Sequence, residues 1–166
     1  MADQGQDPST IKCLNVPCCL FCPFLPHMTF TPEPSLTVSA RIFLSLGSLS
    51  GCASVAFSAA FAHLPVFAAG VPVMVQTALT QQQFHSLGLV IVGLSCFCLG
   101  ASRWLLAAGW LMVAGLLLFS FNLYARHVLG FDAFRALVPW GGGAWLLAWL
   151  CLTLGFASAA ARKTAA

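Results

Sequence analysis

Four long apolar runs follow a proline-rich stretch, at about residues 42–62, 85–101, 104–125 and 138–160. No Asp, Glu, Lys or Arg interrupts the interior of any run. Roughly 17 to 25 apolar residues wound as a helix cross the ~30 Å of hydrocarbon in a bilayer. The helix is the required form because lipid offers no partner for bare backbone N–H and C=O groups. The pattern predicts an all-α membrane protein, a four-transmembrane-helix bundle over 41–160. An irregular leader is expected over 1–40 and a short basic tail over 161–166. The leader holds six of the nine prolines, Pro8, Pro17, Pro23, Pro26, Pro32 and Pro34, each of which removes a backbone donor and breaks helix or strand.

The polar breaks add detail. Gln81, Gln82 and Gln83 lead into Phe84 and His85, and Pro72 sits where a helix can begin, so the second helix is also compatible with a start near Pro72, lying along the interface. Only Ser102 and Arg103 separate the second run from the third, which predicts a tight antiparallel hairpin. Arg126, His127, Asp132 and Arg135 mark the third connection, and Pro139 suits the first turn of the fourth helix. Trp104 and Trp140 stand near helix ends, where aromatic belts form.

Composition agrees with the bilayer reading. The chain is 60% hydrophobic and 7% charged, with a mean hydropathy of +0.91. Soluble domains carry about 25% charged residues. A formal net charge of +3 on so few ionisable groups is too little for a nucleic-acid footprint, and no nucleic-acid partner is expected. Arg41, Arg103, Arg162 and Lys163 gather at one set of helix ends and Arg126 and Arg135 at the other. The positive-inside rule then places both termini on the cytoplasmic side or its matrix equivalent.

Helix packing can be read from small residues. Gly47 and Gly51 form a G-x-x-x-G, and Ser50, Ser54, Ser58 and Ala62 continue a second stripe at four-residue spacing. Such faces let backbones approach in lipid, so Gly47, Gly51, Ser54 and Ser58 are expected at helix contacts.

The candidate polar face comprises His63, His85, Asn122, Tyr124 and His127. His63 closes the first run, His85 opens the second and His127 follows the third, which sets all three at one membrane surface. Imidazoles beside Asp132 are the groups that a metal site or a proton relay uses. No H-x-x-x-H or H-E-x-x-H preassembles such a site, so capping and headgroup contact are the expected roles, and no metal or cofactor is expected. Asn122 lies inside an apolar helix, where its amide is expected to bond a neighbouring element as structural glue. The absence of carboxylates at depth argues against a proton- or sodium-coupled pump.

Four cysteines crowd the leader, Cys13, Cys18, Cys19 and Cys22. Cys19 and Cys22 make one C-x-x-C, but a zinc ribbon needs a second pair. Cys18, Cys19 and Cys22, flanked by Leu20, Phe21, Phe24 and Leu25, are candidates for S-acylation, beside the plainer reading of reduced thiols. Met28 is an expected alternative start, since the composition changes there. No catalytic residues are visible: Gly47-Ser48-Leu49-Ser50-Gly51 has leucine where a nucleophile elbow needs serine, and Gly141-Gly142-Gly143 lacks the Lys and Ser/Thr of a phosphate loop.

The segments Arg41 to Ser50, Phe61-Ala62-His63, Phe84-His85-Ser86-Leu87-Gly88-Leu89, Gly115 to Tyr124 and Pro139-Trp140-Gly141-Gly142 before Trp149, in that order, resemble the transmembrane protein 256 group, whose bacterial relatives form the domain of unknown function 423. The resemblance covers Arg41 to Gly155. It implies a multi-pass bundle without an established activity, in the plasma (inner) membrane if bacterial and in the mitochondrial inner membrane if eukaryotic. Leu64 departs from the glycine that usually follows the first-loop histidine, and the cysteine-rich leader departs from a short start. The expected function is a non-catalytic accessory subunit or assembly component, with the lipid bilayer and a membrane complex or homo-oligomer as partners. The alternative is a small-solute or ion carrier using the His85 and Asn122 face.

Overall fold

The computed structural model describes residues 37–164, and side chains over 37–162. The leader cysteines Cys18, Cys19 and Cys22 and the candidate start Met28 lie outside the described residues. Among the described residues every regular element is helical: α1 (Val38–His63), α2 (Val73–Leu99), α3 (Arg103–Gly115), a π-helical turn (Leu116–Phe121), α4 (Asn122–Leu129) and α5 (Val138–Thr164). Short 3-10 turns at Pro65–Phe67 and Arg135–Leu137 lie in the two longer connections. The helix α3, the π turn and α4 run on as one span, so among the described residues four helices are long and apolar enough to cross a membrane.

Local chemistry sets the ends. Thr37 caps α1, its hydroxyl accepting the Ala40 N–H at 3.3 Å, and Ser102 caps α3 by accepting the Leu105 N–H at 3.3 Å. Helix α1 thus starts inside the expected leader, because Ala40 and Phe43 are buried on its first turns. At Gly100 the backbone turns to φ +81°, a conformation that a side chain would resist, and α2 stops there to make the tight turn into α3. The fourth helix runs beyond residue 160 to Thr164, which places Arg162 of the expected tail in its last turn, beside the negative end of the helix dipole.

The largest departure concerns α2. It begins at Val73, directly after Pro72, at the alternative start and not at His85. The polar stretch Gln76 to Gln83 is therefore transmembrane helix, and it is helical because its Val75, Ala78 and Gln82 are buried against other helices.

Helix α1 packs mainly along α2, and α3 along α5, while α2 and the third span join the two pairs. Close approach is made by glycine. A Cβ at Gly47 would lie 2.9 Å from the Ser86 carbonyl oxygen, and one at Gly93 would lie 2.9 Å from the Leu44 backbone nitrogen. In the other pair Gly115 receives the indole of Trp145. The main core joins Phe43, Leu89, Leu105, Met112, Trp145 and Leu152, and a second cluster holds Phe61, Phe67, Val75, Leu123 and Tyr124. Large apolar residues such as Leu49, Leu87, Leu146 and Leu150 point outward, as expected where the surrounding solvent is lipid.

Candidate functional site

The polar residues meet along a seam inside the bundle, and α2 supplies its spine. Gln82, His85, Ser86 and Leu89 fall at i, i+3, i+4 and i+7, one inward face of a helix, and all four are buried. The Gln82 side chain is inaccessible; its Nε2 donates to the Ser50 carbonyl of α1 at 3.0 Å, and its Oε1 accepts from the Tyr124 hydroxyl of α4 at 2.9 Å. Ser86 donates to the Gln82 carbonyl at 2.6 Å, with the Ser50 hydroxyl 2.7 Å away. One glutamine thereby ties three helices.

His85 faces the opposite pair. Its ring stacks on Trp145 at 3.9 Å between centroids and 6° between planes. Trp149 Nε1 lies 3.3 Å from His85 Nε2. An indole N–H can only donate, so Nε2 is the acceptor and the proton of a neutral imidazole sits on Nδ1, which donates to the Gln81 carbonyl at 2.8 Å. Both ring nitrogens are thus engaged.

The third span carries the remaining groups. Ser120, fully buried in the π turn, donates to the Ala78 carbonyl of α2 at 2.9 Å. Asn122 Nδ2 donates to the Phe134 carbonyl at 2.6 Å and lies 3.2 Å from the Leu118 carbonyl within the wide turn. Trp145 Nε1 donates to the Met112 carbonyl at 3.3 Å. At the surface Arg126 pairs with Asp132 at 2.7 Å.

Several expectations about the polar face change. His85 is not at the membrane surface with His63 and His127: it is the thirteenth residue of the 27 in α2, deep in the span, because α2 starts twelve residues earlier than the apolar run. His63 is exposed at the end of α1, and His127 Nδ1 lies 3.0 Å from the Leu123 carbonyl of its own helix. Asn122 and His85 do not share a face either, since Asn122 points to the connection before α5 and His85 to α5 itself. Among the described residues no three His, Cys, Asp or Glu side chains gather in a metal-binding arrangement. Of the small-residue stripe, Gly47 and Ser54 are buried and Gly51 is partly covered, but Ser58 is exposed, and Phe57 and Phe61 beside it make the contact with Val75 and Ala78 of α2 instead.

Sequence reasoning missed Gln82, Ser86, Ser120, Trp145 and Trp149. For the first two the signal was their spacing with His85 and Leu89, hidden where the second span is started at His85 or its first turns are laid along the interface.

Among the clefts that the described residues form at the surface of the bundle, three adjoin these elements. One of about 260 Å³ is almost wholly apolar and runs between α1 and the third span, past Leu46, Leu49, Val113 and Leu117. A second, of about 370 Å³, follows the α1 and α2 junction past Gly51 and Gln83. A third, of about 420 Å³, lies between the π turn and the connection to α5, past Asn122, Phe131 and Phe134. Gln82, His85 and Tyr124 line none of the three.

The profile described as protein of unknown function DUF423 matches residues 56–142, more than half of the chain, from the second half of α1 to the first turns of α5. The chain belongs to the DUF423 family. A UPF0382 membrane protein of Haemophilus influenzae is 35% identical over 124 residues, which cover 68% of this chain and 91% of that relative. No solved structure matches. The DUF423 match contains Gln82, His85, Ser86, Ser120, Asn122 and Tyr124, so most of the seam lies in the family's own portion. With four apolar spans and a relative named as a membrane protein, this DUF423 member is an integral, multi-pass membrane protein. The relative is bacterial, which fits a bacterial inner membrane and gives no support to a mitochondrial one.

Proposed function

We propose that this DUF423 protein is a non-catalytic component of a membrane assembly, an accessory subunit or scaffold. The observation that carries the reading is that the polar side chains of the buried seam are spent inside the bundle: Gln82 on the Ser50 carbonyl and Tyr124, His85 on the Gln81 carbonyl and Trp149, Ser120 on the Ala78 carbonyl. A carrier needs such groups turned toward a water-filled passage. Here they join helices and stay buried. Short connections support the same reading, since they leave the long helix faces as the surface on which a neighbour could pack. The proposed setting is a bacterial-type inner membrane.

The test is extraction of native membranes in mild detergent, sizing without denaturation, and identification of co-migrating proteins. The expected result is migration with a larger assembly that contains a reproducible set of other chains. Recovery of the protein alone, as monomer or small homo-oligomer, would overturn the subunit reading.

A further inference from the structure

The junction of α1 and α2 presents, on its outer side, a cleft of about 370 Å³ lined by Gly51, Ser48, Cys52, Gln83 and Leu87 among others. Gln83 is exposed there, as are Ser48 and Leu87. The Gln83 carboxamide has no hydrogen-bond partner among the described residues, and neither has the Ser48 hydroxyl. Its depth follows from its neighbour. Gln82 bonds the carbonyl of Ser50, the thirteenth of the 26 residues of α1, so Gln83 stands level with the centre of that span. At 1.5 Å per residue the ends of α2 lie about 15 Å away toward Val73 and about 24 Å away toward Leu99, beyond the reach of the side chain toward water or headgroups.

A carboxamide at that level faces hydrocarbon, which can neither donate to it nor accept from it. Gln82, His85, Ser86 and Ser120 are paired inside the bundle, and Gln83 points away from it. The cleft beside it is also shaped for a close neighbour. A Cβ at Gly51 would meet nothing nearer than 3.9 Å, so its floor is open, whereas Gly47 next to it is already filled by α2.

We propose that this face is a self-association surface, on which a second copy of the chain seats its own α1–α2 junction across a two-fold axis through Gln83. The occupant follows from the chemistry of the unpaired group. A carboxamide carries donor and acceptor together, so it is its own complement, and an isologous interface sets the same residue against itself. Two Gln83 side chains then exchange N–H···O bonds, Leu87 of each copy enters the Gly51 depression of the other, and Ser48 gains a neighbour. The inference is independent of the assembly reading above, because purified chain suffices to test it.

The experiment is energy transfer between donor- and acceptor-labelled copies of the purified full chain in phosphatidylcholine vesicles, over a series of lipid dilutions. The parent is expected to associate. Gln83→Leu, which removes the amide, should weaken association by about tenfold, in keeping with the strength of interhelical hydrogen bonds; Gln83→Asn should retain part of it. Gly51→Leu, which fills the depression, should weaken it as well. Thermal melting of Gln83→Leu in detergent should match the parent, since Gln83 bonds nothing among the described residues. A parent that stays monomeric at every dilution, or a Gln83→Leu variant that associates as strongly as the parent, would overturn the proposal. So would cross-linking from position 83 in native membranes that captures only a different protein.

Discussion

At the scale of single residues, two glycines four positions apart do different work. A methyl group on Gly47 would press on the Ser86 carbonyl oxygen at 2.9 Å and the Val90 backbone nitrogen at 3.0 Å, and backbone cannot swing aside as a side chain can. A methyl on Gly51 meets only the Ser86 Cβ, at an ordinary 3.9 Å. Gly47→Ala is therefore expected to cost on the order of 1–3 kcal/mol, the range of overpacked interiors, with Gly51→Ala close to neutral. Thermal melts of both variants in one detergent check this, and equal midpoints would show that Gly47 does not set the α1–α2 spacing. The G-x-x-x-G was legible in the sequence, but not which glycine faces α2. That depends on how α1 is rotated about its axis, and its other face is nearly as rich in Ser and Ala.

At the scale of elements, α2 and the third span show what hydropathy can and cannot locate. The four spans were visible because apolar length is a direct requirement of the bilayer. The first twelve residues of α2 fall outside the apolar run expected at 85–101, since Gln76, Thr77, Thr80 and the three glutamines lower its hydropathy, and the alternative start near Pro72 laid them along the interface. Yet a polar side chain is accepted in a span when another helix supplies its partner, and Ser50 and Tyr124 do so for Gln82. That information resides in residues 32 and 42 positions away, so no local window contains it. The π turn was equally hidden. It coincides with three contacts from elsewhere: Trp145 on Gly115, the Ser120 bond to Ala78, and the close fit of Gly141 on Phe119. Asn122 closes this element by donating to the Phe134 carbonyl. Asn122→Ala should lower stability by about 1 kcal/mol, the usual worth of such a bond in membranes. Leu117→Ala, one turn away and facing outward, is the control and should change little. A denaturation series in detergent compares the two; if Asn122→Ala is as harmless as the control, the link to the connection contributes nothing.

At the scale of the whole molecule, the four spans alternate in direction, so the connections at 64–72 and 130–137 share one surface and the turn at 100–102 shares the other with the end of α5. The first surface carries Arg126 and Arg135, and Arg126 is already paired with Asp132. The second carries Arg41, Arg103 and Arg162, with Lys163 following in sequence. Translocation of a short loop is hindered by its Lys and Arg, and acidic neighbours do little to relieve that, so the count alone favours the second surface as cytoplasmic. The number of decisive charges is small, and the test must therefore separate topology from orientation. Cysteine introduced at Ala69 or Ala133, both exposed in the first set of connections, should react with a membrane-impermeant thiol reagent only from outside the cell, in a background free of native cysteine. Cysteine at Ala101, exposed in the α2–α3 turn, should react only after the cytoplasmic face is opened. Labelling of Ala133→Cys and Ala101→Cys from the same side would refute the four-span topology, because a single helix joins those two connections. The exchange of both patterns would keep the bundle and overturn the charge argument alone.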